Sequence, residues 1–134
     1  RGIRRVQVVN RTAERARDIA ADFGSNVEPA LWDDLPRLLV GARLLVNSTS
    51  LGMAGKEPLE IDIAGMGDRA IVADAVYVPL EPPLLAAARR RGFSVSNGLD
   101  MLLHQAVRGF ELWFGVRPEV TAEQRRFLVA DLEA

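Results

Sequence analysis

Short apolar runs alternate with helix-length amphipathic stretches along the whole chain, and this alternation leaves few folds open. Val6–Val9, Asn26–Glu28, Leu44–Val46, Ala70–Val76 and Phe93–Val95 read as strands. Between and after them lie helical segments. Ala13–Phe23 carries Ala16, Ile19, Ala20 and Phe23 on one face, and Leu31–Leu39 includes Pro36 near its first turn. A proline-led stretch runs from Pro82 and Pro83 to Arg91 and stops at Gly92, which supplies a terminating glycine. Leu99–Phe114 follows, and a last helix opens at the cap Thr121 with Glu123 in its first turn. Strands separated by helices of this length predict a parallel α/β sheet rather than a hairpin-built one.

Composition narrows the function classes. A chain of 134 residues, 49% hydrophobic and 26% charged with a net charge of −1, suits one soluble globular domain and not a nucleic-acid binder. No apolar run reaches the roughly 20 residues of a membrane span. The absence of cysteine excludes disulfides and thiolate catalysis. No signal peptide is evident, so a cytoplasmic location is the default expectation. Asp33, Asp34 and Asp62 form no ligand-spaced cluster with His104, the only histidine, and no metal is expected. Arg89-Arg90-Arg91 reads as a helix C-terminus favoured by the dipole. Arg1-Gly2-Ile3-Arg4-Arg5 lacks an initiator Met and runs almost directly into a strand, so the chain reads as a piece of something longer.

The sharpest chemical signal lies in Asn10-Arg11-Thr12-Ala13-Glu14-Arg15, between the first strand and its helix. Thr12 suits the N-cap. Two arginines beside a helix N-terminus oppose the macrodipole at about 0.3–1 kcal/mol each. An anion held by first-turn amides and two guanidinium groups removes the conflict. In a dinucleotide fold this is the end of the second strand, where an acidic residue would bind a ribose 2′-hydroxyl and arginines accommodate a 2′-phosphate. The segment therefore favours NADP over NAD. Two solvated arginines on an ordinary helix are the alternative.

Four segments extend this reading: Val9-Asn10-Arg11-Thr12, Val46-Asn47-Ser48-Thr49-Ser50-Leu51-Gly52-Met53, Asp74-Ala75-Val76-Tyr77-Val78-Pro79-Leu80, and Asn97-Gly98-Leu99-Asp100-Met101-Leu102-Leu103-His104-Gln105-Ala106. In that order and at that spacing they resemble the C-terminal, cofactor-binding half of the shikimate dehydrogenase family, and the resemblance continues through Phe110–Gly115 to the last helix. It implies NADP-dependent, reversible reduction of 3-dehydroshikimate to shikimate, on the route to aromatic amino acids. It also implies a Rossmann-like doubly wound parallel sheet, here without the first strand, Gly-rich turn and first helix that cradle a pyrophosphate. On this reading residues 1–115 are a partial NADP-binding domain. Residues 116–134 form a helical unit that packs on an N-terminal substrate domain of the parent chain.

By motif, Asn10, Arg11, Thr12 and Arg15 are similar to an adenosine 2′-phosphate site. Asn47, Thr49, Ser50 and Ala75 would line the cofactor crevice, and Gly98 and Met101 would hold the nicotinamide. Tyr77 and Gln105 match the two residues this half contributes to shikimate. Met101 and Gln105, four apart, share a helical stripe away from the apolar face of Leu99, Leu102, Leu103, Ala106, Phe110 and Trp113, which is expected to be buried. No catalytic residue is expected in this chain, since the family's Lys–Asp pair belongs to the other domain. Lys56, the only lysine, and His104 are read as surface residues. Asp100 departs from the family pattern, which has a small residue there, and Pro82 stands where Thr or Ser is expected. The chain alone is expected to be inactive, with a homodimer left open as the assembly. Two alternatives stand: a quinate or related dehydrogenase of other specificity, and a non-catalytic nucleotide-binding remnant.

Overall fold

The structure, a computed structural model, describes residues 3–132. Arg1 and Gly2, part of the start on which the truncation reading rests, and Glu133 and Ala134, the end of the C-terminal unit, lie outside them. Its strands are β1 (Val6–Val9), β2 (Val27–Ala30), β3 (Leu44–Asn47), β4 (Ile71–Asp74) and β5 (Ser94–Ser96). Its α-helices are α1 (Ala13–Phe23), α2 (Leu35–Leu38), α3 (Pro83–Arg90), α4 (Gly98–Phe114) and α5 (Ala122–Leu132). Every strand pair is parallel: β1 pairs with β2, and β3, β4 and β5 form a second sheet with β4 in the middle. This is the α/β class the alternation predicts.

Register explains the core. Leu45, Val72 and Val95 stand opposite one another across β3, β4 and β5. They pack with the buried Leu84, Leu85 and Ala88 of α3, and Leu39, Ile63 and Met66 join the same cluster. The alternate residues of these strands, Leu44, Val46 and Ile71, remain 51%, 55% and 45% exposed, so one sheet face is covered and the other is open. On the smaller sheet α1 buries Ala16 and Ala20, two small residues that let the helix sit close to the strands, while Phe23 stays exposed. The apolar face of α1 is thus narrower than its sequence suggests.

β1 and β3 do not pair with each other, and each presents a free edge to a cavity of about 750 Å³ lined by Val6, Gln7 and Val9 on one side and Leu44 and Val46 on the other. The first strand that the family resemblance implies, and that this chain lacks, belongs in the usual order of such a sheet between these two strands.

Element ends follow from local chemistry. α3 closes in a Schellman motif: Gly92 at φ +77° donates its amide to Arg89 O, and the Phe93 amide donates to Ala88 O. That use of Phe93 shifts the start of β5 one residue beyond the expected Phe93. The predicted Leu31–Leu39 helix is instead a 3-10 turn (Trp32–Asp34) followed by the single turn of α2. Pro36 has no N–H for Trp32 O, which the Leu35 amide takes in a tighter bond. β4 ends at Asp74, earlier than the expected Val76, because the Val76 amide donates to the Asp74 side chain. Thr121 caps α5 as expected, and Gln124 completes a capping box with it: Gln124 N donates to Thr121 Oγ1 and Thr121 N donates to Gln124 Oε1.

The long helix α4 departs most from expectation. Leu99 is fully buried and Leu102 and Leu103 are half-buried, but Ala106, Phe110 and Trp113 are exposed, Trp113 at 80%. Its first turn is buried, whereas the rest of its apolar stripe faces residues 118–121 and α5 across a groove lined by Ala106, Phe110, Val120, Phe127 and Leu128.

Candidate functional site at the strand carboxyl ends

Because the strands within each sheet run parallel, the carboxyl ends of each sheet share one edge, and the turns leaving them carry the residues singled out from sequence. Open α/β sheets bind ligands on this edge.

After β1, Asn10 Oδ1 accepts the Thr12 amide at 2.9 Å, closing an Asx turn into α1. Thr12 is the N-cap in extended conformation, yet its hydroxyl makes no capping bond; Asn10 organises the turn instead. The Arg15 amide bonds to Thr12 O. Arg11 and Arg15 are exposed, and no carboxylate among the described residues pairs with either guanidinium. Their neighbours behave differently: Arg5 is paired with Glu28 and Arg37 with Asp34. Two guanidiniums without a carboxylate partner among the described residues therefore stand at the positive end of the α1 dipole, where first-turn amides and positive charge favour an anion.

After β3, Asn47 is 3% exposed and its side chain is fully engaged. Its Oδ1 accepts from Thr49 N (3.0 Å) and Thr49 Oγ1 (2.8 Å), and its Nδ2 donates to Leu51 O (3.1 Å) and Asp74 Oδ1 (3.0 Å). Thr49 Oγ1 in turn accepts the Leu51 amide. Asn47 therefore shapes the turn from within, and Ser48, Thr49 and Ser50 form its exposed rim.

After β4, Ala75 and Tyr77 are half-buried, and the Ala75 amide donates to Asn47 O at 2.8 Å. After β5, Gly98 begins α4 and donates its amide to Val76 O at 3.2 Å. The buried Gly98 lies against Ala75, and the exposed Met101 and Gln105 follow on the same helix. Asp100, the departure from the family pattern, is engaged by Arg125 of α5 at 3.0 Å. His104 is exposed with Nδ1 3.0 Å from Asp100 O.

Asp74 is the residue to which sequence reading gave no role. It is 3% exposed, and desolvation pushes its carboxyl above the ordinary value against the opposing pull of hydrogen bonds from Val76 and Asn47. The sequence offers only an Asp closing the apolar run Ile71-Val72-Ala73; its register opposite Asn47 is a property of the folded sheet. No group of three or more His, Cys, Asp or Glu among the described residues is placed to hold a metal ion.

These features can be set beside known proteins. Residues 98–122 match the family model for the Shikimate 5′-dehydrogenase C-terminal domain. A curated shikimate dehydrogenase (NADP(+)) of Rhodopseudomonas palustris is 58% identical over 132 residues, covering 98% of this chain and 48% of that protein. Among solved structures, quinate dehydrogenase from Corynebacterium glutamicum in complex with NAD superimposes with a TM-score of 0.85 at 29% identity, over 96% of this chain and 47% of that one. Shikimate 5-dehydrogenase from Thermus thermophilus in complex with NADP(H) and shikimate gives 0.73 at 29% identity, over 94% and 45%. The likeness therefore runs along nearly the whole chain in both sequence and fold. The chain is thus similar over nearly its whole length to a C-terminal portion of shikimate dehydrogenases, and it spans about half the length of the curated relatives it matches.

Proposed function

We propose that this chain is the NADP-binding part of an enzyme that interconverts 3-dehydroshikimate and shikimate. The observation that carries the reading is the pair of uncommitted guanidiniums, Arg11 and Arg15, at the N-terminus of α1. They fit the 2′-phosphate of NADP, which needs positive charge and free donors at this point of the fold. Asn10 and Thr12 set the turn that presents them. Thr49 and Ser50 line the crevice held open by Asn47, beside Ala75. Gly98 and Met101 flank the nicotinamide, which when bound supplies or accepts a hydride at C4. Tyr77 and Gln105 donate and accept hydrogen bonds to the ring acid and fix its orientation, the protein's main share of the work at this end.

The remaining half of the enzyme supplies the general acid–base pair and a strand for the slot between β1 and β3. It also covers the apolar stripe of α4 and α5 (residues 116–134 with their groove). The chain by itself is inactive, and no catalytic group lies within it. A homodimer and a cytoplasmic setting complete the proposal; no helix of the described residues is long and apolar enough to cross a membrane.

A second reading is favoured by the fit to an NAD-bound quinate dehydrogenase. Titration of the full-length enzyme with NADPH and NADH, followed by nicotinamide fluorescence, separates the cofactors. Preference for NADPH that Arg11→Ala abolishes supports the proposal, and equal or better binding of NADH overturns it. Rates with shikimate and quinate then decide the substrate.

A further inference from the structure

The buried carboxylate of Asp74 is engaged at a junction of three segments. Its Oδ1 accepts from Asn47 Nδ2 at 3.0 Å and from the Val76 amide at 2.9 Å. Through Asn47 it reaches the turn that holds Thr49 and Leu51. Through Val76 it reaches α4, because Val76 O accepts the Gly98 amide. The Ala75 amide, between them, is tied back to Asn47 O. One oxygen atom thus joins the turn bearing Thr49 and Ser50, the segment bearing Ala75 and Tyr77, and the helix bearing Gly98, Met101 and Gln105.

We propose that Asp74 is a positioning residue that fixes the mutual spacing of these three ligand-bearing segments through the single acceptor Oδ1, touching neither cofactor nor substrate itself. The inference rests on the function proposed above. Its physical basis is that a 3% exposed side chain cannot reach a ligand, whereas its hydrogen-bond partners are the backbone and side-chain groups that shape the crevice. Asp74 Oδ2 is buried without a partner, so nothing but Oδ1 carries the junction. Only an acceptor at the Oδ1 position is required, and a neutral amide supplies it. Asn keeps that acceptor, its amino group at the partnerless Oδ2 position costing stability rather than the spacing of the segments, whereas an aliphatic side chain leaves Asn47 Nδ2 and Val76 N unanswered in a dry site.

The test uses the full-length enzyme with Asp74→Asn and Asp74→Ala, together with amide hydrogen exchange of the ligand-free wild type. The expected result is that Asp74→Ala, still folded by circular dichroism, raises KM for NADPH and lowers kcat, each by about tenfold or more. Asp74→Asn stays within about threefold of wild type on both. Thr49, Leu51 and Val76 amides are protected in the ligand-free wild type, a measurement that stands even where Asp74→Ala does not fold. Kinetics of Asp74→Ala equal to wild type, failure of Asp74→Asn to restore them, or unprotected amides in the free enzyme would each overturn the assignment. Failure of the wild-type enzyme to bind NADPH would instead sink the functional reading itself, so the two are distinguishable.

Discussion

Gly98 lies so close to Ala75 that a Cβ at position 98 would collide with the Ala75 carbonyl oxygen and crowd the carbonyl carbon. The glycine is therefore fixed by the approach of α4 to the end of β4, independently of any ligand. Sequence reading attributed it to the nicotinamide; the structure supplies a second reason that acts in the ligand-free chain. Backbone cannot move aside like a side chain, so Gly98→Ala must tilt α4 or break the Gly98 N to Val76 O bond. We expect a loss of about 1–3 kcal/mol in denaturant unfolding of the full-length enzyme. Displacement of Met101 and Gln105 should also lower kcat/KM more than this loss alone accounts for. Unchanged stability would show that the approach is looser than described.

The entry to α1 gives a second test. The Asn10 carboxamide holds the turn and the Thr12 hydroxyl holds nothing, although Thr12 is the residue its sequence position marks as the cap. Thr12→Ala should cost only a few tenths of a kcal/mol, well below the roughly 1 kcal/mol of a working cap. Asn10→Ala should cost about 0.5–1.5 kcal/mol, the worth of one intramolecular hydrogen bond. It should also weaken NADPH binding, because the turn presents Arg11. Thermal unfolding of the two variants side by side decides the matter, and a larger loss for Thr12→Ala would reverse it.

These two sites show what the sequence carried and what it did not. Helix termini were legible where one residue type decides the end, as with Gly92 after α3 and Thr121 before α5. At α1 the cap position Thr12 was legible but its hydrogen bonding was not, because Asn10 Oδ1 takes the Thr12 amide while the Thr12 hydroxyl takes no first-turn amide; at Pro36 a proline reroutes a bond and shortens the expected helix. The apolar period of α4 correctly marked a helix but not its surroundings. Burial of Phe110 and Trp113 depends on a partner surface that the period does not encode. The turns at the strand ends were legible as motifs, while the junction at Asp74 was not, because it joins residues 27 positions apart through strand register. Register is a tertiary property, and a single sequence shows only that each strand exists.

Asp74 also predicts a pH dependence. Its folded-state pKa is raised above 3.8, with burial the largest cause. The folded chain therefore holds this proton at a pH where the unfolded chain has released it. The associated stabilisation is complete below the unfolded pKa and is lost as pH rises through the folded one. Asp74→Asn removes the titration. The stability of wild type relative to Asp74→Asn should thus improve as pH falls through the window above 3.8 and stay level once both states are ionised. Parallel urea curves for the two proteins across mildly acidic pH measure it, and a gap that widens in favour of Asp74→Asn as pH falls would show that hydrogen bonding, not burial, governs the carboxyl.

Arg11 and Arg15 should act as separate donors to one doubly charged group, since neither is held by a carboxylate of the described residues. Single alanine substitutions in the full-length enzyme should each weaken NADPH binding by about tenfold or more, as expected for one charge-assisted contact. Binding of NADH, which has a hydroxyl in place of the phosphate, should change little. The contact is exposed and therefore screened: raising salt from about 0.01 to 0.15 M shortens the Debye length from about 30 to 8 Å. NADPH affinity should fall across that range more steeply than NADH affinity, and the difference in slope should shrink when both arginines are replaced. Equal slopes for the two cofactors in the wild-type enzyme would mean that the guanidiniums do not meet the phosphate, leaving α1 an ordinary helix with two solvated arginines.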